Sequence, residues 1–497
     1  MNNKVAYNSI INLLGVFFVT IATIISTPYL IKILGKDGFS IFRLILVSVI
    51  SVTYLIDLGL SGVVRRVLGT ALNKKDANKA KKLLYTINFL YLIFGSIAAV
   101  VILLIGFYLK NKIDIPLEYI DQYDYLVLFS SLYIFLLFFQ SVCNSILMIF
   151  DKFLKYQIIV SGAKVFQVVC LIIFLPYVSD KLLYSGFITI MVFLLFYLLS
   201  IYFVRKEWSG FRYRFALNKV EIKEIKSLMG HNFIVSLCPV VIFYMNDFVV
   251  AANLSIALLG IYTIAMLFTN QMKTIISSML SPLFTLVNKV ESKNENGIEN
   301  IFQVTLSVSV LIWSLLVFPL LYAIESLIKI WVGESFHESV QIVQINLIST
   351  IGLVFYLIVY NFLNASGKIK KISSLSLATV IIYFLLLIFG YILKVYSLMY
   401  FSIIFSFILM FRGFGSLFIM NKTLNVFNHA FMDKIYKLVL SVVVIIFISY
   451  FSRQMIQGDS LFNLICYFSI VYLLIISLII LLLNKKQKKL LFSKLKS

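Results

Sequence analysis

Long apolar blocks recur along the whole chain, and they constrain its fold more than any other feature. An α-helix needs about 20 such residues to cross about 30 Å of hydrocarbon, and most blocks reach that length. Hydrophobic residues make up 61% of the 497 residues, and charged residues only 13%. Soluble domains stop growing near about 250–300 residues and could not bury so much apolar surface. A soluble enzyme, a disordered chain and a disulfide scaffold are therefore excluded.

The apolar blocks are continuous rather than alternating, so they indicate helices and not the strands of a membrane barrel. We predict an all-α polytopic membrane protein with fourteen spans: 10–33, 44–64, 83–109, 125–149, 157–178, 182–204, 228–252, 257–281, 301–324, 339–363, 374–393, 398–420, 438–458 and 461–483.

The largest inner loop divides these spans into six and eight, which predicts two bundles with an extra helix pair. The predicted parts are an N-terminal six-helix lobe (1–204), a basic connector (205–227), a C-terminal six-helix lobe (228–420) and two further helices with a basic tail (421–497). A short repeat is compatible with two related lobes, because Gly38-Phe-Ser-Ile-Phe resembles Gly260-Ile-Tyr-Thr-Ile at an offset of 222 residues. The match is short, so chance is the alternative explanation.

The distribution of basic residues predicts the orientation of the chain. With both termini inside, 31 of the 43 Lys and Arg residues fall in inner segments, 9 in outer segments or helix ends such as Arg43, and 3 within spans. An excess of basic residues on the cytoplasmic side is the rule for membrane proteins, so both termini are predicted to be cytoplasmic. The net charge of +22 then reflects topology and contact with anionic membrane lipids, and nucleic acid is not needed as a partner.

Charged residues within spans are costly to insert, so they are the best candidates for function. The candidates are Asp57, Lys164, Asp247, Lys273 and Arg412. Their positions place Asp247 near an outer helix end and the other four in the inner half of the membrane. Because Lys and Arg both bind phosphate groups, this net positive set predicts an anionic ligand that enters from the cytoplasm.

Alternatives stay open for several of these residues. Long basic side chains near helix ends reach the headgroups without any ligand, and this explanation suits Arg65 and Arg66 best. Asp57 is either the charge partner of a nearby cation or a group that couples an ion. Asp247 is either a coupling group or a helix cap. Pro239, in the middle of its span, is a candidate hinge, with a static kink as the alternative.

Other chemistry is sparse in this sequence. The three histidines are scattered, and the four cysteines all lie in apolar blocks, so neither a metal site nor a disulfide is predicted. No P-loop pattern is present, which argues against an ATPase, and no cofactor is expected. Energy for transport would therefore come from a partner, the substrate gradient or an ion gradient.

Local motifs add a family resemblance that extends over essentially the whole chain. They are Asn8 and Asn12 at the opening of the first span, Leu34-Gly-Lys-Asp-Gly-Phe-Ser-Ile-Phe, Asp57-Leu-Gly-Leu with Arg65-Arg66, Asn246-Asp247 followed by Leu259-Gly-Ile-Tyr, and Asn361-Phe-Leu-Asn-Ala-Ser-Gly-Lys. With fourteen spans and both ends inside, the chain resembles the Wzx-type polysaccharide flippases of bacterial envelopes. These form a family within the multidrug/oligosaccharidyl-lipid/polysaccharide exporter superfamily.

The resemblance implies two six-helix lobes around a V-shaped central cavity in the bacterial cytoplasmic membrane. The implied substrate is an undecaprenyl-pyrophosphate-linked oligosaccharide, flipped to the outer leaflet by alternating access with a proton or sodium gradient. Such transport serves lipopolysaccharide O-antigen, capsule or exopolysaccharide synthesis. A polysaccharide polymerase and a chain-length regulator are the implied partners.

Three other functions were weighed against a flippase. A drug or other lipid exporter of the same superfamily would need acidic cavity residues for cationic drugs and usually has twelve spans. An envelope polysaccharide polymerase or glycosyltransferase would carry a large outer loop or folded domain with acid and base residues. A channel would show a Gly-rich filter or a ring-forming repeat. The first span carries no acidic residue and the inner half leans positive, and neither a large outer loop or folded domain nor a filter or ring-forming repeat is apparent. This pattern favours a flippase that is not an enzyme.

Overall fold

Helices make up nearly all of the computed structural model, which describes residues 2–57, 60–74, 76–280, 295–365, 370–424, 426–427, 429–456 and 458–482. The described residues contain no β-strand. The helices are α1 (Asn2–Asp57), α2 (Leu60–Asn73), α3 (Ala77–Lys110), α4 (Ile120–Ile149), α5 (Phe153–Gln157), α6 (Ala163–Phe174), α7 (Lys181–Glu207), α8 (Lys219–Asn253), α9 (Ile256–Leu280), α10 (Glu295–Trp331), α11 (Ser339–Ala365), α12 (Lys370–Ile392), α13 (Leu398–Leu424), α14 (His429–Met455) and α15 (Leu461–Leu482).

Helix α1 consists of two limbs that meet at Gly35, where the backbone has φ 70° and ψ 174°. Glycine adopts a positive φ without the steric cost that a Cβ would bring. The second limb therefore covers 36–57, and the predicted span 44–64 was wrong at both ends. The predicted span begins eight residues after the start of this limb, and its last residues belong to helix α2.

Length and apolar composition identify the membrane-crossing elements. Among the described residues, ten helices are long and apolar enough to cross a membrane, with the two limbs of α1 counted together. Two shorter apolar stretches, Cys238–Asn253 and Leu461–Ile475, lie in α8 and α15. The chain is therefore a multi-pass membrane protein, as the sequence predicted. The basic tail predicted after 484 lies outside the described residues.

The helices pack as two groups that meet along α1. In the N-terminal half, α4 packs against α3 and α7, while α1 lies against α3, α4 and α6. In the C-terminal half, α11 packs against α9, α10 and α13, and α12 lies against α8 and α13. Between the halves, α1 contacts α8 and α9. The two copies of the short repeat meet here, because Gly260 packs against Ser40 and Lys36.

The segment 208–218 connects the two halves and is held on the N-terminal half. The Asn88 side chain donates to the backbone carbonyls of Arg212 and Arg214, each at 3.4 Å. The Tyr213 hydroxyl accepts from the Tyr197 hydroxyl at 3.0 Å, and burial raises the pKa of Tyr213. We call this side of the molecule the connector end, and the opposite side, which carries Gly35, the Gly35 end.

The last two helices are fastened to α10 at the Gly35 end. The Lys329 ammonium lies 3.0 Å from Glu334 and 3.4 Å from Asp459, and Ser326 bonds to both Asp459 and Arg453. Hydrogen bonding from Ser326 and then from Lys329 lowers the pKa of Asp459. Within the membrane, the Tyr467 hydroxyl donates to the Pro319 carbonyl at 3.0 Å. The helix pair α14–α15 therefore packs on α10.

Helices α11 and α13 cross closely through two glycines. A Cβ on Gly413 would overlap the backbone of Gly352, and a Cβ on Gly352 would overlap the backbone around Leu409. Backbone atoms cannot move aside as a flexible side chain can, so only glycine fits at this crossing. The crossing holds Arg412 and Tyr356 next to each other, because each lies within about one turn of a glycine.

Gly413→Ala is expected to destabilise the protein by about 1–3 kcal/mol, because the added methyl group overpacks the α11–α13 crossing. Gly62→Ala is the matched control, since a Cβ on Gly62 in α2 meets nothing within 4 Å. That control should gain about 0.5–1 kcal/mol from helix propensity. Thermal unfolding of the detergent-purified variants measures both changes, and shifts of the same sign would contradict the predicted crossing.

Candidate functional site

Charged side chains from both halves meet in the interior of the helix bundle, and Arg43 lies at their centre. Arg43 stands eight residues after Gly35, about 12 Å from the Gly35 end at helical rise. Asp247 on α8 stands six residues before Asn253, at a depth of about 9 Å. Arg43 interacts electrostatically with Asp247 of the C-terminal half and with Lys164 of the N-terminal half.

Asp247 is buried and Arg43 is half-buried, and the two do not form a direct ion pair. The Arg43 Nε atom and the Asp247 Oδ1 atom are both enclosed, and neither has a hydrogen-bond partner in the described part of the chain. Buried charged groups without such partners are costly, and opposite charge in a medium of low dielectric lowers that cost. The attraction between Arg43 and Asp247 therefore links the two halves across their contact.

The residue before Asp247 ties four helices of the C-terminal half together. The Asn246 side chain donates to the Tyr262 hydroxyl at 2.8 Å and to the Phe401 carbonyl at 3.3 Å, and accepts from the Tyr383 hydroxyl at 2.5 Å. These partners lie on α9, α13 and α12, so the network fixes the rotation of α8 beside Asp247. Helix α8 continues through Pro239, and the hinge role stays a prediction.

Lys164 lies in the N-terminal half, two residues after an irregular helical turn. A π-helical turn, Ile158–Gly162, separates α5 from α6, and such turns often occur at functional sites. The Lys164 ammonium donates to Gln167 at 3.1 Å, and the Gln167 amide donates to Thr189 at 2.7 Å. These bonds orient Lys164 while leaving its charge without a carboxylate partner in the described part of the chain.

Lys273 and Arg412 lie together in the C-terminal half. The Lys273 ammonium lies 4.0 Å from the ring centre of Phe243 and 5.5 Å from that of Tyr244, which are cation–π distances. Arg412 stacks on Tyr356, with 3.5 Å from its Cζ atom to the ring centre, and is 2% exposed. Lys273 and Arg412 repel each other. Tyr244 also interacts with Arg43, so it joins this pair to the inter-half charges.

The structure therefore brings Lys273 and Arg412 together in the C-terminal half, and Lys164 and Arg43 together in the N-terminal half. Tyr244 lies beside Lys273 and interacts with Arg43, so it connects the charges of the two halves. The hypothesis that Lys164, Lys273 and Arg412 serve one cavity stays a prediction.

Asp57 and Arg65 form a separate group near the connector end of the N-terminal half. The Tyr91 hydroxyl donates to the Asp57 Oδ1 atom at 3.3 Å, and the Arg65 Nη1 atom lies 3.5 Å from the Met148 sulfur. Both residues line a cavity of about 290 Å³ with Gln140 and other polar side chains of α4. Arg66 is exposed, as expected for a side chain that reaches the headgroup region.

A larger cleft, of about 700 Å³, lies elsewhere, at the Gly35 end of the C-terminal half. Glu325, His337, Glu338 and Tyr396 line it, and none of the deep cations does. Among the described residues, no group of three His, Cys, Asp or Glu side chains could hold a metal ion. The chemistry of the interior therefore rests on the cations and on their aromatic and hydroxyl neighbours.

Sequence reasoning missed Arg43, Tyr244 and Tyr356 as members of the site. Arg43 was assigned to an outer helix end because the second span was predicted to begin at residue 44. A positive-φ glycine at 35 would have moved that start by eight residues and placed Arg43 at membrane depth. No sequence signal marks Tyr244 or Tyr356, since tyrosine is common throughout this chain, at 29 of 497 residues.

Several solved structures have the same fold as this chain. An "inward-facing conformation of a multidrug resistance MATE family transporter of the MOP superfamily" matches with TM-score 0.66 and 12% identity, over 86% of this chain and 99% of that chain. An outward-facing conformation of such a transporter matches with TM-score 0.59 and 14% identity, over 86% and 97%. The chain has the fold of the MOP superfamily.

A third solved structure is a MOP superfamily transporter from Pyrococcus furiosus, matched with TM-score 0.58 and 14% identity, over 85% of this chain and 95% of that chain. Its description states that reverse polarity of the binding pocket suggests a different function. The family described as "Polysaccharide biosynthesis protein" matches residues 5–288, so the chain belongs to this family, as its sequence motifs indicated. No curated protein matches the chain.

Proposed function

We propose that the protein is a flippase that carries an undecaprenyl-pyrophosphate-linked oligosaccharide across the bacterial cytoplasmic membrane. The observation that carries this proposal is the excess of positive charge at membrane depth, where Arg43, Lys164, Lys273 and Arg412 accompany one carboxylate, Asp247. A doubly charged pyrophosphate is the substrate group that such an excess would attract. Membership of a polysaccharide biosynthesis family supports the same substrate class. The product would serve O-antigen, capsule or exopolysaccharide synthesis.

Each predicted site residue has a role in this proposal. Lys273, with Lys164 and Arg43, attracts the pyrophosphate between the halves, and Arg412 adds its charge from within the C-terminal half. Arg65 and Arg66 collect the anionic headgroup at the connector end. Asp57 and Asp247 serve as charge partners or take up the coupling ion, and Pro239 is the hinge of α8. Anionic membrane lipids, a polysaccharide polymerase and a chain-length regulator are the proposed partners.

Contacts at the Gly35 end support alternating access as the mechanism. The Trp331 indole donates to the Ile24 carbonyl at 2.7 Å, and the Lys36 ammonium lies 5.4 Å from the ring centre of Phe336. These contacts join the halves at one end, and release of a large headgroup at that end requires them to separate. We assign the Gly35 end to the outer face and count fourteen crossings, with the two limbs of α1 and with α8, α9 and α15 as separate spans.

The proposed orientation predicts opposite labelling of two exposed leucines. Leu217 in the connector is 52% exposed, and Leu117 between α3 and α4 is 89% exposed. A membrane-impermeant maleimide should label Leu117→Cys in cells with an open outer envelope, and Leu217→Cys only after the cytoplasmic membrane is permeabilised. The unmodified chain provides the background from its four cysteines. Labelling of Leu217→Cys from the outside would overturn the orientation.

Complementation tests the proposed function itself. Deletion of the gene should abolish surface polysaccharide and leave lipid-linked oligosaccharide at the inner leaflet, and re-expression should reverse both effects. A drug exporter would instead restore drug resistance without any change in polysaccharide. A polymerase defect would leave single repeat units at the outer surface. Normal polysaccharide export in the deletion strain would end the proposal.

A further inference from the structure

Four polar atoms around Arg412 are buried and reach no partner at hydrogen-bond geometry in the described part of the chain. They are the Arg412 Nε and Nη2 atoms, the Tyr356 hydroxyl and the Ser376 hydroxyl. Arg412 is 2% exposed, Tyr356 4% and Ser376 0%, on α13, α11 and α12. The guanidinium stacks on the Tyr356 ring, and Ser376 lies beside that residue. One enclosed place therefore collects the unsatisfied groups of three helices.

All four atoms can donate a hydrogen bond. The Nε and Nη2 atoms form one edge of the guanidinium, and their N–H groups point in the same direction as a two-pronged fork. A hydroxyl can also donate, and the hydroxyls of Tyr356 and Ser376 lie close to each other without reaching hydrogen-bond geometry with any described residue. Leaving a buried donor without an acceptor costs about 1–3 kcal/mol, and more for a charged group. The arrangement therefore lacks acceptors rather than donors.

Among the described residues, no carboxylate forms an ion pair at this place. Lys273 adds a second cation that interacts with Arg412. None of the ion pairs among the described residues includes Arg412 or Lys273. Water could satisfy the hydroxyls, but it would leave two positive charges uncompensated in the membrane interior, where charge is costly. A monovalent anion supplies an acceptor and compensates one of the two charges, so that a net positive charge remains for the transported headgroup.

We infer that the C-terminal half binds a small inorganic anion, of the size of chloride, on the Nε–Nη2 edge of Arg412. The hydroxyls of Tyr356 and Ser376 complete its coordination, and the close crossing at Gly352 and Gly413 holds the first two groups in place. The site is enclosed, so it excludes a pyrophosphate that carries a sugar and a polyprenyl chain. The inference is independent of which substrate the protein transports.

Chloride-dependent stability of the purified full-length protein tests this inference without any substrate. Thermal unfolding is measured in detergent over a titration with sodium chloride and with sodium gluconate at equal ionic strength. Because a ligand that binds the folded state raises its stability, chloride should give a saturable rise in Tm that gluconate does not give. The rise should be lost in Arg412→Gln. Equal curves for the two salts in the unaltered protein would overturn the inference.

If Arg412→Gln does not fold, two milder variants test the inferred anion site. Tyr356→Phe and Ser376→Ala each remove one hydroxyl and should raise the chloride concentration at half-effect about tenfold, the value of one hydrogen bond to an ion. Ser449→Ala is the matched control, because Ser449 is equally buried but bonds to its own helix at 2.8 Å. An unchanged half-effect concentration in both hydroxyl variants would place the anion elsewhere and overturn the inference.

Discussion

Lys273→Gln is expected to lower polysaccharide export at least tenfold at an unchanged level of inserted protein. The Lys273 ammonium lies over the rings of Phe243 and Tyr244, beside the contact between the halves, and is half-buried. Among the described residues it has no carboxylate partner, so its charge is available to an anionic headgroup. Removing one charge-assisted hydrogen bond costs about 1.5–3 kcal/mol, which corresponds to a factor of about 10–100.

Two further variants separate the charge of Lys273 from general damage. Lys273→Arg keeps the positive charge and should retain most of the export. Lys371→Gln is the matched control, because Lys371 is exposed at the start of α12 and its ammonium donates to Thr423 at 3.2 Å. Export is measured as surface polysaccharide in the complemented deletion strain. Unimpaired export by Lys273→Gln at normal protein level would remove Lys273 from the proposed site.

Asp247→Asn is expected to destabilise the protein by about 2 kcal/mol and to impair export. Arg43 is attracted by Asp247 and repelled by Lys164, so the neutral asparagine leaves two neighbouring cations uncompensated. Breaking a direct buried ion pair costs about 3–5 kcal/mol, and a smaller cost is expected here because no direct ion pair joins Arg43 to Asp247. Thermal unfolding of the purified variants gives the stability.

A double-mutant cycle tests whether the cost comes from Arg43. In the Asp247→Asn background, Arg43→Gln should restore part of the stability, with a coupling energy of about 1–2 kcal/mol. Asp124→Asn is the control, because the exposed pair of Asp124 with Lys110 at 2.6 Å contributes about 0–1 kcal/mol. Strictly additive effects of Arg43→Gln and Asp247→Asn would show that the two residues do not act on each other.

Gly35 and the crossing at Gly352 and Gly413 show which features could be predicted from the sequence and which could not. Gly35 was recognised as a part of a motif, but its positive φ was not predicted, because φ depends on how the two limbs of α1 pack against α8 and α9. Gly352 and Gly413 carried no signal at all, since their role appears only where α11 and α13 cross. A glycine in a helix is ambiguous until the neighbouring helix is known.

For the deep cations, too, the contacts could not be predicted from the sequence. Helical rise along each span was enough to place Lys164, Lys273 and Arg412 at membrane depth. Rise says nothing about which way a side chain points around its helix. Packing turns Arg412 onto Tyr356 and brings Lys273 near it in the C-terminal half, whereas Lys164 lies near Arg43 in the N-terminal half.

The sequence by itself determined that the chain is an all-helical membrane protein of a polysaccharide biosynthesis family. Insertion into a membrane acts on each apolar segment locally, so composition and segment length suffice for that conclusion. Only the tertiary structure decided which charges meet. Arg43 and Asp247 are about 200 residues apart in the chain, and Lys273 and Arg412 about 140. Such pairs form only when whole helices pack, because the contact depends on the rotation and crossing of each helix.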